Sequence, residues 1–206
     1  MNTLLTHLCL AGNSVDLVLM DSSHIAGLTG VMLQEEIWEF TWRKFTTLEQ
    51  VNEMVNEAME QKNKGSQLPF VIIDKNSGQI IGTTRISNID SVHRHAEIGW
   101  TFLSPHVWRK GINTECKFLL LQYCFEQLQL LRVQFLVSGH NYRSQKAVER
   151  LGAVKEGILR KHKLKMDGSI HDTIIYSILD SEWPQMKTHL LALMEKKDVQ
   201  SDAVLS

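Results

Sequence analysis

Apolar and polar residues alternate through VDLVLM (15–20), the pattern of a strand with one buried face. Asp21, Ser22 and Ser23 follow as N-cap candidates for a helix. EIWEFTWRKF (36–45) has no clean period and is crowded with aromatics, which suits a loop or an irregular helix. TTLEQVNEMVNEAMEQKNKG (46–65) puts Leu48, Val51, Met54, Val55 and Ala58 on one helical face and ends at Gly65. PFVIID (69–74) and QIIGTTRIS (79–87) read as strands joined by the hairpin signal KNSG. In HAEIGWTFL (95–103) the alternation places Ala96, Ile98, Trp100 and Phe102 on one face and His95, Glu97, Gly99 and Thr101 on the other. Pro105 marks the end of that strand.

A helix apolar nearly all round, from about Ile112 to Leu128, should lie buried against a sheet. RVQFLVSG (132–139) is a further strand, and SQKAVERLG (144–152) a short helix with Ala147, Val148 and Leu151 inward. A long hairpin follows, with Asp167-Gly168 suited to a type I′ turn, and then a terminal helix from SEW (181–183). Strand, helices, three strands, helix, strand, helix, two strands and helix make a mixed α/β sheet with helices packed on it. No repeat or linker interrupts it, so the expectation is one domain over 1–206 with a loose polar tail from about 196.

Composition narrows the partners. A net charge of −1 argues against general nucleic-acid binding, and no apolar run approaches the ~20 residues of a membrane span. Three cysteines, Cys9, Cys116 and Cys124, without CxxC spacing fit a reducing, cytoplasmic setting better than a disulfide or zinc framework. Cys116 and Cys124 share one side of the buried helix and read as small core residues. His93 and His95 lack a third ligand at suitable spacing, so no metal site is expected. RKHKLK (160–165) is a basic strip, either a solvated face or a contact for an anionic group.

The chemistry-bearing stretch is WRKGINTE (108–115), directly after a strand and at the mouth of the long helix. The first turn of a helix leaves amide groups without partners and adds partial positive charge. A phosphate can accept from those donors, and Gly111 permits close approach of the backbone. An ordinary helix start with two solvated cations, or a patch for an acidic partner, fits the same residues. A Walker A loop is excluded by the missing Lys-Ser/Thr pair, and a dinucleotide fingerprint by two missing glycines.

A second cluster, GHNYRSQKAVERLGAV (139–154), follows the next strand. Together with AEIGWTFLSP, RKGINTECKFLLLQYCFEQL, RVQFLVSGHNYRSQKAVERLGAVKEGILR and DGSIHDTIIYSILDSEW, it makes the chain resemble the GNAT superfamily of N-acetyltransferases, specifically the RimJ/RimL-like branch. The similarity runs from about Val15 to Trp183 and is strongest after His95. It implies a mostly antiparallel central sheet with splayed fourth and fifth strands and helices on both faces. It also implies acetyl-coenzyme A as cosubstrate, no metal, and a primary amine acceptor, either a protein N-terminus (a ribosomal one among the options) or a small molecule. A homodimer is compatible with it.

Laid on this sequence, the family's Gln/Arg-x-x-Gly-x-Gly/Ala segment starts at Trp108 and ends at Asn113, departing from the pattern at both ends and keeping Gly111. GINTE looks like the form common in the branch. The resemblance carries over Arg109, Lys110, Gly111, Ile112, Asn113 and Thr114 as the pyrophosphate segment, and Phe102, Leu103 and Ser104 as the strand edge for the pantetheine arm. Asn141 stands at the family's Asn-x-x-Ser/Ala position, with Ser144 three residues on; both are equally good helix caps. Glu97 is the candidate general base, and a plain strand carboxylate is its competing reading. The tyrosine that many members use as acid is replaced by Val148, which leaves Ser144, Tyr142 or water to substitute. Trp38, Glu39 and Trp42, with Glu36 and Phe40 nearby, fall where the family forms the acceptor wall; core packing is the competing reading for the tryptophans. A coenzyme A-binding sensor without turnover is the alternative to an enzyme, and an ATP-binding module a more distant one.

Overall fold

The computed structural model describes residues 8–41, 43–165 and 168–202, with side chains as far as 195. An eight-stranded sheet has the order β1-β2-β3-β4-β5-β6-β8-β7. Its strands are β1 (Cys9–Ala11), β2 (Val15–Leu19), β3 (Leu68–Asp74), β4 (Ile80–Asp90), β5 (His95–Leu103), β6 (Arg132–Ser138), β7 (Val154–Leu164) and β8 (Ile170–Leu179). All neighbours are antiparallel except β5 and β6. The three-residue β1 was not anticipated; counting it makes β5 and β6 the pair that the sequence reading numbered fourth and fifth.

Helices cover both faces. On one, α1 (Ile25–Met32) and α2 (Leu48–Asn63) build a cluster with Met20, Leu28, Met32, Trp38, Met54, Val55 and Val71. On the other, α3 (Ile112–Gln122), α4 (Tyr142–Arg150) and α5 (Trp183–Asp202) pack over Phe70, Ile72, Ile86, Ile98, Val133 and Tyr176. Phe70, Val71 and Ile72 show the strand period at work, with the middle residue on the α2 side and its neighbours on the α3 side.

Local signals account for the element ends. Asp21 caps a 3₁₀ turn that leads into α1, accepting from the Ser23 amide at 2.8 Å. Thr47 caps α2 by accepting from the Gln50 amide. Leu48, placed by periodicity on the inner face of α2, is 46% exposed and stands outside the buried set of Val51, Met54, Val55 and Ala58. The 36–45 stretch contains a 3₁₀ turn at Glu35–Trp38, as its lack of period implied. Helix α3 is buried along nearly its whole length, and its continuation at Tyr123–Gln127 widens into a π-helix. Helix α5 extends to Asp202, past the point near 196 where a loose tail was expected. Asp167 of the expected hairpin turn lies outside the described residues.

The alternation expected for β5 breaks at Trp100, whose φ is +52°. Arg85 faces Gly99 and Thr83 faces Phe102, so two β5 residues oppose Thr84 alone. That β-bulge reverses the facing of everything after it. Phe102 therefore leaves the Ala96 and Ile98 side and packs on Trp38, with ring centroids 4.8 Å apart. Thr101 and Leu103 take the α3 side instead. Among the described residues, no helix is long and apolar enough to cross a membrane.

Candidate active site

The bulge also opens the sheet. β5 and β6 pair only through His95–Arg132, Ala96–Val133 and Glu97–Gln134. Beyond them β6 continues against β8 as far as Ser138, while β5 bends away with β4 until Leu103 lies opposite Gly82. A Cβ at Gly82 would come within 2.4 Å of the Phe102 carbonyl oxygen, so only glycine admits β5 this closely. The Ser104 amide donates to Ile81 at 2.9 Å, which makes Leu103 and Gly82 a non-hydrogen-bonded pair. Phe102 and Ser104 thus turn their peptide groups toward β4, and Thr101 and Leu103 turn theirs into the gap. The Ser104 hydroxyl is likewise engaged, 2.7 Å from both Gln34 Oε1 and His106 Nδ1.

At the wide end of this gap stands the glycine turn. Arg109 (φ +65°) and Gly111 (φ +93°) are both left-handed, and Gly111 is the residue that caps α3. The Lys110 amide is used by the Val107 carbonyl, and the Thr114 and Glu115 amides by the Gly111 carbonyl. Among the described residues the amides of Gly111, Ile112 and Asn113 donate to no protein acceptor, so three N–H groups converge where the helix begins. That concave donor set fits a pyrophosphate. Thr114 is buried and Trp108 folds back, its Nε1 donating to the Leu103 carbonyl at 2.8 Å.

Across the gap, Asn141 caps α4, its Oδ1 accepting from the Ser144 amide at 2.9 Å. Its amide nitrogen stays available, as does the half-buried Ser144 hydroxyl. Val148 is buried in the core behind them, and Tyr142 is exposed on the outer side. Arg143 reaches back over the mouth, 4.0 Å from the Trp108 ring and 5.8 Å from Phe40. It was not singled out from the sequence.

Glu97 sits where the gap begins, on the face shared with Gly99, Trp100 and Phe102. Burial raises its pKa, and hydrogen bonds from Asn88 (3.0 Å) and Gln134 and the charge of Lys163 partly oppose this. A carboxylate of raised pKa at the foot of a cleft suits a general base. Trp38 is 5% exposed, donates to the Met32 carbonyl at 2.8 Å and stacks edge-on with Phe45, so it is chiefly core. Glu35, Glu36, Trp38, Glu39 and Lys44 line an open hollow of about 420 Å³ with acidic walls. Trp42 lies outside the described residues.

Two buried cations escaped the sequence reading. Arg85 is 1% exposed, its guanidinium 4.2 Å from the Trp100 ring, with Nη1 on Gln67 and Nη2 on the Met54 sulfur. Lys117 is 5% exposed on α3 and donates to Thr101 Oγ1. Arg85 sits in a strand run of small and β-branched residues and Lys117 in a helix of leucines; a charge in such a run was the available signal. Cys116 and Cys124 are buried as expected, and burial pushes the Cys116 thiol up to about 12, an inert value. The His93 and His95 rings lie parallel 6.4 Å apart, and no described cluster of three or more His, Cys, Asp or Glu could hold a metal ion. RKHKLK lies on the exposed edge strand β7.

Comparison with known proteins bears on the family and the fold. The model of the acetyltransferase (GNAT) domain matches residues 15–154. A Bacillus subtilis (strain 168) protein provisionally named ribosomal N-acetyltransferase YdaF is 37% identical over 106 residues, covering 52% of this chain and 57% of its own length. A GCN5-related N-acetyltransferase from Brucella melitensis superposes with a TM-score of 0.84 at 28% identity, covering 91% of this chain and 86% of that one. Mycobacterium smegmatis RimJ, in complex with CoA-disulfide, gives 0.74 at 25% identity, covering 87% of this chain and 88% of that one.

Proposed function

Because the chain belongs to the GNAT acetyltransferase family, in its RimJ/RimL-like branch, we propose that it transfers acetyl directly from acetyl-coenzyme A to the α-amine of a protein N-terminus. One juxtaposition carries this reading: a turn with free amides at Gly111–Asn113 opens α3 at the same end of the sheet where β5 and β6 part. The cosubstrate supplies an acetyl group activated as a thioester.

In this reading Gly111, Ile112 and Asn113 hold the diphosphate through main-chain donors, and Arg109 and Lys110 add charge around it. The Thr101 peptide groups and the Leu103 amide offer the strand edge that pairs with the pantetheine amides, one residue from the edge the resemblance implied, while the Leu103 carbonyl is held by Trp108. The amide nitrogen of Asn141 and the hydroxyl of Ser144 contact the arm from α4, and Ser144 hydrogen-bonds the departing sulfur. Glu97 takes the proton that the attacking amine sheds. Much of the rate comes from holding amine and thioester together, an effect worth roughly 7–11 kcal/mol in favourable systems.

Glu35 pairs with Lys44 at 2.9 Å, which leaves Glu36 and Glu39 in the hollow to support a cationic acceptor, and its openness suits the end of a polypeptide better than a small amine that must be enclosed. The name of the YdaF relative points the same way. Val148 supports a second reading, a coenzyme A-binding module without turnover.

The test is to incubate the protein with acetyl-coenzyme A and either peptides bearing free N-termini or polyamines, following free thiol and acetylated product. Peptide acetylation supports the proposal, and acetylation of polyamines alone transfers it to small amines. Stabilisation by coenzyme A without thiol release above the enzyme-free rate identifies the sensor.

A further inference from the structure

We propose that Lys117 is the proton source for the departing thiolate and delivers through the hydroxyl of Thr101. The proposal rests on the acetyltransfer reading and fills the role that Val148 leaves open. A serine hydroxyl can hydrogen-bond sulfur, but it is too weak an acid to be the final donor.

The geometry points to Lys117 in three steps. Its ammonium is buried on α3 and its one protein partner among the described residues is Thr101 Oγ1. Thr101 belongs to the part of β5 that has left β6, and its side chain stands half-buried on the α3 side of that unpaired stretch. Its hydroxyl accepts from Lys117 and lies 2.8 Å from Thr84 Oγ1, which also reaches the Gly99 carbonyl at 3.5 Å. With Lys117 and Thr84 both donating to it, Thr101 keeps its own proton, whose nearest protein acceptor is the Gly99 carbonyl at a long 3.4 Å.

Among the described residues no carboxylate pairs with Lys117. On α3 itself, Glu115 accepts from the Ser14 amide at 2.8 Å, and Cys116 is a buried thiol. On the turn after α3 and on α5, Glu126 pairs with Lys187 at 2.8 Å. On β2, Asp16 faces Lys75 at 3.7 Å. An ammonium buried without a counter-ion is unfavourable, and groups held at such a cost gather at functional sites. Burial pushes Lys117 down to about 8, near the ordinary thiol value of about 8.5. An acid so matched shares a proton with sulfur at little expense in driving force.

The step balances as follows. The acceptor nitrogen forms the new C–N bond, the C–S bond breaks, and its electron pair goes to sulfur. Sulfur takes the Thr101 proton while Thr101 takes one from Lys117. The surplus proton of the amine leaves through Glu97 to solvent, and Lys117 is recharged from solvent.

The experiment compares wild type with Lys117→Met, Thr101→Val and Thr101→Ser, across pH, with acetyl-coenzyme A and an acceptor peptide. Lysine side-chain NMR titration of the unliganded protein accompanies it, with the Met variant identifying the Lys117 signal. Expected are a fall in kcat of about 10²-fold for Lys117→Met and for Thr101→Val, near-full activity for Thr101→Ser, and KM for acetyl-coenzyme A unchanged. Wild type should lose rate above about pH 8 and the Met variant should not, and Lys117 should titrate well below about 10.4. The idea is overturned if Lys117→Met stays within about twofold of wild type with the same pH profile. A normal titration near 10.4 overturns it too. If wild type itself releases no thiol with any amine, the acetyltransfer reading falls and takes this inference with it, a result distinct from turnover that ignores Lys117.

Discussion

The indole N–H of Trp108 donates to the carbonyl oxygen of Leu103 at 2.8 Å, tying the glycine turn to the last residue of the splayed strand. Arg143 lies on the outer face of the same ring at 4.0 Å, so turn, strand and α4 meet at one side chain. This gives Trp108, which stands where the family pattern has Gln or Arg, a clamping task. Trp108→Phe keeps the ring and the guanidinium contact but orphans one carbonyl, at about 1 kcal/mol. Coenzyme A affinity should fall about fivefold, read by titration calorimetry. Unchanged affinity would mean that the turn holds its shape without the indole.

Gly111 caps α3 at φ +93°, a region that disfavours any Cβ by roughly 1–2 kcal/mol. Gly111→Ala either strains the turn or rotates its amides off the diphosphate. The dissociation constant for coenzyme A should rise about tenfold, while the melting temperature of the free protein moves by only a few degrees. Loss of stability with affinity intact would place the cofactor elsewhere.

Much of this site is legible in the sequence. RKGINTE is a local arrangement, and its reading as donors at a helix start needed only the strand before it and the helix after it. Cys116, Cys124 and the hairpin at KNSG were likewise local matters. The bulge at Trp100 was not, since tryptophan carries no mark of a left-handed backbone. That conformation is sustained by tertiary contacts, the guanidinium groups of Arg85 at 4.2 Å and Arg43 at 4.7 Å against its ring. A period-2 reading therefore assigned Phe102 to the wrong face. Trp38 was open in sequence for another reason: an aromatic cluster near carboxylates looks the same whether it lines a cleft or fills a core, and Trp38 is mostly buried yet borders the hollow.

Glu97 is held above the ordinary carboxyl range by burial, so in the free enzyme it accepts a proton at a pH higher than an exposed glutamate would. If it is the base, the acid side of the rate profile should follow that protonation, with activity falling as pH drops through the raised value. Glu97→Gln keeps the hydrogen bond from Asn88 while removing the base. Expected are a fall in kcat of about 10²-fold, an unaltered KM for acetyl-coenzyme A, and loss of the acid limb in kcat/KM. A glutamine variant that retains the limb would assign it to the acceptor amine instead.

Lys117 should make the protein less stable than it could be, and pH makes that measurable. Its folded pKa, about 8, lies below the ordinary 10.5, so the unfolded chain binds this proton more tightly. Between those two values stability rises with pH, because unfolded molecules hold more protons than folded ones. Below pH 8 the full penalty applies, roughly 3 kcal/mol for a displacement of this size. Above about 10.5 both states are neutral at this position and the contribution vanishes. Lys117→Met replaces the ammonium with a flexible apolar chain that suits a helix whose next turn carries the buried Leu120 and Leu121. The variant should unfold at higher denaturant concentration than wild type at pH 7, and the difference should shrink as the comparison is repeated toward pH 10. A variant that is destabilised, or whose advantage is the same at both pH values, would show that the ammonium is already compensated in the fold and is not held there at the expense of stability.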